Sequence, residues 1–127
     1  MKILHTSDWH LGKFVSVQSM IDDQRYFIEH VFLPALDAYA PDVIVLAGDI
    51  YDRRIAPVPA IELFEQTLYA AADRGISLLA ISGNHDSAER LSPGARLMWG
   101  AGIYLANGNM ELFKCLWCLP QVTIDTA

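Results

Sequence analysis

Short apolar runs recur along the chain and stop, each time, at small or acidic residues. Val43-Ile44-Val45-Leu46-Ala47, opened by Asp42, is a continuous apolar run, the pattern of a strand covered on both faces. Lys2 to Thr6 predicts an earlier strand built on Ile3 and Leu4, Ser77 to Ile81 a third, and Ile103-Tyr104-Leu105 a fourth. Between the first two strands the period changes. Ile21, Phe27, Ile28, Val31, Phe32, Leu36 and Tyr39 recur at helical spacing, which predicts a helix over 19–40. Ser19 is placed to cap it, with Asp22 and Asp23 favoured in its first turn by the helix dipole. Pro34 falls inside this pattern and predicts a kink or break. A second helix is predicted over 59–74 with Gly75 as its stop, and a short one carrying Leu97, Met98 and Trp99. By the same spacing Phe27, Phe32, Tyr39, Phe64 and Tyr69 are expected in the core.

Strands alternating with helices predict an α/β fold: a parallel-type sheet of βαβ units with right-handed crossovers. Such sheets bind ligands beyond the carboxyl ends of their strands. Asp8-Trp9-His10, Gly48-Asp49 with Asp52, and Gly83-Asn84-His85-Asp86 all follow a strand directly, so all are expected at that edge. Asp8 and His10, two apart, point the same way if the chain stays extended. Their oxygen and imidazole donors suit a Mn-, Fe- or Zn-like ion better than calcium. Asp49 is placed where a carboxylate can bridge two cations, and Gly48 allows close backbone approach. Asp52 is read as a partner of a ligand or a helix cap rather than a direct ligand. Asn84 offers a neutral oxygen ligand, His85 a contact to a phosphate or a proton for a leaving oxygen, and Asp86 a carboxylate to orient an imidazole. Trp9 is expected to pack rather than stack a base, and His5 and His30 to be structural histidines.

With 127 residues, 53% hydrophobic and 19% charged, the chain has the size and composition of one globular domain, 1–127. No apolar run reaches membrane-span length, and the start turns polar too early for a signal peptide; a cytoplasmic location is expected. Cys115 and Cys118 form a lone Cys-x-x-Cys with no His after position 85, so two buried or incidental thiols are expected rather than a redox pair or a zinc site. The net charge of −6 argues superficially against a nucleic-acid partner. Yet Lys13, Arg53, Arg54, Arg90 and Arg96 all follow the three clusters, while many acids fall on the predicted helices. Those bases are either a positive rim for phosphate, with Lys13, Arg53, Arg54 and Arg90 as substrate contacts, or ordinary solvated side chains.

Taken together, these clusters resemble the calcineurin-like metallophosphoesterases. Within them, His5-Thr6-Ser7-Asp8-Trp9-His10-Leu11-Gly12, with Gly48-Asp49-Ile50-Tyr51-Asp52 and Gly83-Asn84-His85-Asp86-Ser87, is similar to the D-subunit nucleases of SbcCD-type complexes. The resemblance covers residues 1 to about 105 and implies the N-terminal half of a metallophosphoesterase sandwich. It implies a DNA nuclease of recombination and repair, acting on double-stranded and hairpin DNA with an ATPase partner subunit. Two divalent ions are implied, Mn²⁺ above all. By this resemblance Asp8, His10 and Asp49 hold one ion, Asp49 and Asn84 the other, and His85 serves the phosphate. A homodimer is implied through helices near the first motifs. Family members continue with further histidines, a DNA-facing cap and most of a second sheet. The chain is therefore expected to be truncated or split, weakly active or inactive alone, with one sheet face uncovered. Two other readings stay open: a phosphoesterase of small esters, and a non-catalytic remnant.

Overall fold

A computed structural model describes residues 1–83 and 94–106. Four parallel strands, β1 (Ile3–Thr6), β4 (Val43–Ala47), β5 (Ser77–Ile81) and β6 (Ile103–Ala106), lie side by side in chain order. Ile3 pairs with Val43, Val43 with Ser77, and Leu78 with Ile103, so the strands start level and end level. The expected α/β class and parallel sheet are what the chain forms. A two-residue hairpin not foreseen from the sequence, β2 (Phe14–Val15) with β3 (Gln18–Ser19), interrupts the run between β1 and the first helix.

Strands added in one direction by right-handed crossovers put every crossover helix on the same face. One buried cluster shows this for the first two crossovers. Ile44, Leu46, Leu78, Ala80, Ile103 and Leu105 of the sheet pack with Phe32 and Leu36 of the first helical segment and Leu63, Phe64 and Leu68 of α3 (Val58–Asp73). On the other face Leu79, Tyr104 and Ala106 are buried beside Trp99, whereas Ile3 and His5 are exposed and Val45 is half-buried.

Pro34 does not break the first helix. The chain runs as α1 (Ile21–Phe27), a π-helical turn (Ile28–Phe32) and α2 (Leu33–Tyr39). An α-helix would bring the proline ring against the carbonyl four residues back. The wider ladder of the π turn, in which the Leu33 amide donates to the Ile28 carbonyl, absorbs that conflict just before it. Ser19 belongs to the hairpin. Met20 caps α1 without a side-chain bond, and the Ser19 hydroxyl accepts only a long contact, 3.4 Å, from the Ile21 amide. At the end of α3, Gly75 adopts a φ of +66°, and the Gly75 and Ile76 amides donate to the Ala72 and Ala71 carbonyls. That is the double closure of a Schellman turn.

Several core expectations fail. Phe27, Tyr39 and Tyr69 are exposed, because a sheet covers only about one stripe of a helix and the first two lie beside the stripe of Ile28, Phe32 and Leu36. His5 and His30, read as structural histidines and not as core, lie at the surface; the His30 ring stacks on Tyr26, and its Nδ1 lies 3.1 Å from the Tyr26 carbonyl. A short helix (Ala95–Met98) and a 3-10 turn (Trp99–Ala101) precede β6. The Cys115–Cys118 pair lies outside the described residues. No helix among the described residues is long and apolar enough to cross a membrane.

Candidate metal centre

The loops after β1 and β4 continue the pairing of their strands. The Asp8 amide donates to the Gly48 carbonyl at 3.1 Å, the His10 amide to Asp49 and the Leu11 amide to Ile50, both at 2.9 Å. Leu11 then bridges Tyr51, and the Asp52 amide returns a bond to the Leu11 carbonyl. The chain does not stay extended, however. Asp8, His10 and Asp49 take φ values of +55°, +45° and +47°, and Gly48 and Gly12 are positive too. Left-handed backbone costs an L-residue roughly 1–2 kcal/mol, less for Asp and His, which tolerate it better than most. All three residues foreseen as ligands of one ion are therefore held in a strained conformation, a concentration that marks functional sites.

These turns bring the side chains together. His10 Nε2 lies 3.9 Å from Asp8 Oδ1 and 4.0 Å from Asp49 Oδ2. One ligand atom from each of the three lies within 4.8 Å of the others. An ion about 2.0–2.2 Å from each donor spans pairs up to about 4.4 Å apart, so the two measured pairs fit a shared ion with little movement. Two carboxylates and an imidazole are also the donor set that suits Mn-, Fe- or Zn-like ions. On the far side of the ring, His10 Nδ1 faces Asp52 Oδ1 at 3.5 Å. A carboxylate there favours the tautomer with its proton on Nδ1 and leaves Nε2 as the donor. Asp8 is the most open of the set, its side chain 65% exposed against 19% for Asp49. The Ser7 hydroxyl donates to Asp8 Oδ2 at 2.5 Å.

Glycines make the approach possible. A Cβ on Gly83 would overlap the backbone nitrogen and the carboxylate of Asp49, and one on Gly48 would come within 3.3 Å of Gly83 Cα. The third loop thus presses its backbone onto Asp49 of the second. Trp9 packs, as foreseen: its indole N–H donates to Thr6 Oγ1 at 2.8 Å and its ring meets Phe32 edge-on at 5.0 Å.

Lys13, Arg53 and Arg54 are exposed on the loops near this edge, and the Arg53 guanidinium lies over the Phe14 ring at 5.6 Å. Arg96 is exposed in the short helix before β6. Asn84, His85, Asp86 and Arg90 lie outside the described residues. One participant escaped the sequence reading. Gln24, in the first turn of α1, donates from Nε2 to the Trp9 and His10 carbonyls at 3.2 and 3.0 Å and accepts from the Gly12 amide at 3.0 Å. Its signal was legible: an amide on the stripe that runs from Ile21 to Ile28, where an apolar side chain is the rule.

A parallel sheet whose strand ends gather two aspartates and a histidine around one point is the framework of a metal-dependent phosphoesterase. The chain matches the calcineurin-like phosphoesterase family over residues 1–122 and belongs to that family. Two of its relatives are D subunits of the nuclease SbcCD. The one from Staphylococcus saprophyticus is 42% identical over 115 residues, and the one from Staphylococcus epidermidis 40% identical over 106. The matches take in 90% and 83% of this chain but 30% and 28% of the relatives, so it spans less than a third of their length.

Proposed function

We propose that this chain carries the first metal site of a DNA nuclease of the same type as the D subunit of SbcCD, hydrolysing phosphodiester bonds in recombination and repair. The convergence of Asp8, His10 and Asp49 supports the reading most strongly. In it, Asp8, His10 and Asp49 hold one divalent ion, and Asp49 is shared with a second ion that Asn84 also holds. When bound, the ions, Mn²⁺ first among them, supply Lewis-acid charge for the phosphoryl oxygens and lower the pKa of the attacking water. Asp52 keeps the His10 ring turned with Nε2 toward the shared point, and Asp86 orients a neighbouring imidazole. His85 contacts the scissile phosphate or protonates the leaving oxygen. Lys13, Arg53, Arg54 and Arg90 follow the DNA backbone as point charges. The partners of the whole assembly are an SbcC-type ATPase subunit and a second copy of the nuclease subunit.

The similarity to two nucleases favours DNA over small phosphoesters, which the same donors could also serve. Mn²⁺-dependent turnover of linear duplex DNA and of p-nitrophenyl phosphate esters, compared for the wild-type chain and Asp49→Asn, tests both levels. Weak Mn²⁺-dependent DNA cleavage by the wild-type chain, or Mn²⁺ uptake without cleavage, with either one lost in the variant, is the expected result. Turnover of the small ester alone would move the assignment to the phosphoesterases of small molecules. Absence of both activities, together with no Mn²⁺ uptake, would reduce the chain to a non-catalytic remnant.

A further inference from the structure

We propose that Gln24 is a positioning residue that aims the His10 ring by fixing the two peptide groups on either side of it. The proposal rests on the metal reading of Asp8, His10 and Asp49. The Trp9 carbonyl belongs to the peptide entering His10 and the His10 carbonyl to the peptide leaving it. One side-chain amide donates to both, at 3.2 and 3.0 Å. Holding both planes fixes φ and ψ of the residue between them, and so the direction of its Cα–Cβ bond.

The same side chain uses its oxygen to accept from the Gly12 amide, where φ is +82°. Only an uncharged amide offers two donors and an acceptor at this length. The His10 carbonyl also accepts from the Lys13 amide at 3.1 Å, so the loop is tied on itself and to α1 at once. Gln24 is in turn seated by the helix, its own amide donating to the Met20 carbonyl at 2.9 Å. All three side-chain bonds end on main-chain atoms, so the effect of Gln24 on the ring is exerted through the backbone.

The test compares wild type, Gln24→Met, Gln24→Glu and, as a control on the same helix, Arg25→Gln, each in the full chain. Two readouts are taken: hydrogen exchange of the Gly12 amide without metal, and Mn²⁺ affinity by calorimetric titration, with melting in EDTA to confirm folding. Gln24→Met should exchange at Gly12 at least tenfold faster and bind Mn²⁺ at least tenfold more weakly. Gln24→Glu keeps the acceptor for Gly12 but turns an oxygen toward two carbonyls, and should lose affinity to a similar extent. Arg25→Gln should match wild type in both. Wild-type affinity in a folded Gln24→Met protein, whatever its exchange rate, would overturn the proposal. A wild-type chain that takes up no Mn²⁺ would sink the metal reading instead, and unchanged Gly12 exchange would then overturn the role of Gln24 independently.

Discussion

Replacing Gly83 with alanine should disable the metal centre from outside it. An added Cβ would lie 3.0 Å from Asp49 Cγ and closer still to its amide nitrogen and Oδ1. Restoring ordinary contact at about 3.5 Å displaces Asp49 by on the order of 1 Å. Overpacking of this kind costs about 1–3 kcal/mol. The effect on binding should be larger, because ligand distances tolerate only about 0.2 Å. Outer residues that merely orient ligands already alter affinity roughly 10–100-fold, so Gly83→Ala should weaken Mn²⁺ binding at least that much. Calorimetric titration with Mn²⁺ and melting in EDTA separate the two effects. Gly75→Ala is the control: its φ is +66° and an added Cβ meets nothing within 4 Å. It should cost about 1 kcal/mol of stability from left-handed backbone alone and leave Mn²⁺ binding unchanged. In an Asp49→Ala background the carboxylate half of the clash is gone, so the stability lost through Gly83→Ala should shrink there. Wild-type Mn²⁺ affinity in Gly83→Ala, or an equal loss in Gly75→Ala, would refute the reasoning.

Asp8→Asn keeps a residue that tolerates positive φ and removes one negative charge from a cluster of carboxylates. Its metal-free melting temperature should equal or exceed that of wild type while Mn²⁺ affinity falls more than tenfold; a lower melting temperature in EDTA would contradict this. Asp52→Asn should weaken Mn²⁺ about 10–100-fold by freeing the His10 ring to turn, and an unchanged titration would remove Asp52 from the site. Far from the site, Arg74 donates to Asp37 at 2.7 and 3.1 Å, and these bonds hold the Asp37 carboxyl below its ordinary 3.8 and raise Arg74. A carboxylate depressed by folding stabilises the fold fully above its unfolded value and loses that contribution as pH falls through its folded one. Asp37→Asn should therefore melt slightly below wild type at pH 7, and the gap should close as pH falls below the folded value of Asp37; a gap that persists in strong acid would disprove the pairing.

The strands were legible because each is a short apolar run ended by polar or glycine residues, and a parallel sheet buries such runs. Val43–Ala47 and Ser77–Ile81 have the limits that the pattern predicted. Burial on the first helix was harder to read. Its apolar residues exceed what one sheet face can cover, and periodicity does not say which stripe turns inward; Phe27 and Phe32 look alike in sequence and differ in exposure. The hairpin at Phe14–Val15 and Gln18–Ser19 has strands too short for a period to register. At the site, residue type and spacing disclosed Asp8, His10 and Asp49 as neighbours. Backbone conformation was not legible, since no rule of composition puts three ligand residues at positive φ. Gln24 was legible only as an amide on an apolar stripe; what it does there was not, because its bonds go to main-chain atoms, which carry no sequence signature.

The left-handed turns answer a geometric need. In an extended strand, residues two apart sit about 6.6 Å from each other along the chain, and their side chains leave in parallel. Donors presented that way straddle an ion rather than enclose it. Turning Asp8 and His10 to positive φ shortens the span until Asp8 Oδ1 and His10 Nε2 are 3.9 Å apart. The same turn at Asp49 swings a carboxylate in from the neighbouring strand. Each turn is unfavourable taken singly, and the bonds from the Asp8, His10 and Leu11 amides to the second loop, with those of Gln24, hold the set. Strain and binding are therefore coupled in this loop pair: a substitution that lets the backbone relax should stabilise the metal-free fold by the same movement that separates the donors. Asp8→Asn leaves that turn in place and acts through charge alone, so its metal-free fold should be no less stable as it loses the ion, whereas a change at Gly83, which adds strain without releasing any, is expected to lose both stability and ion.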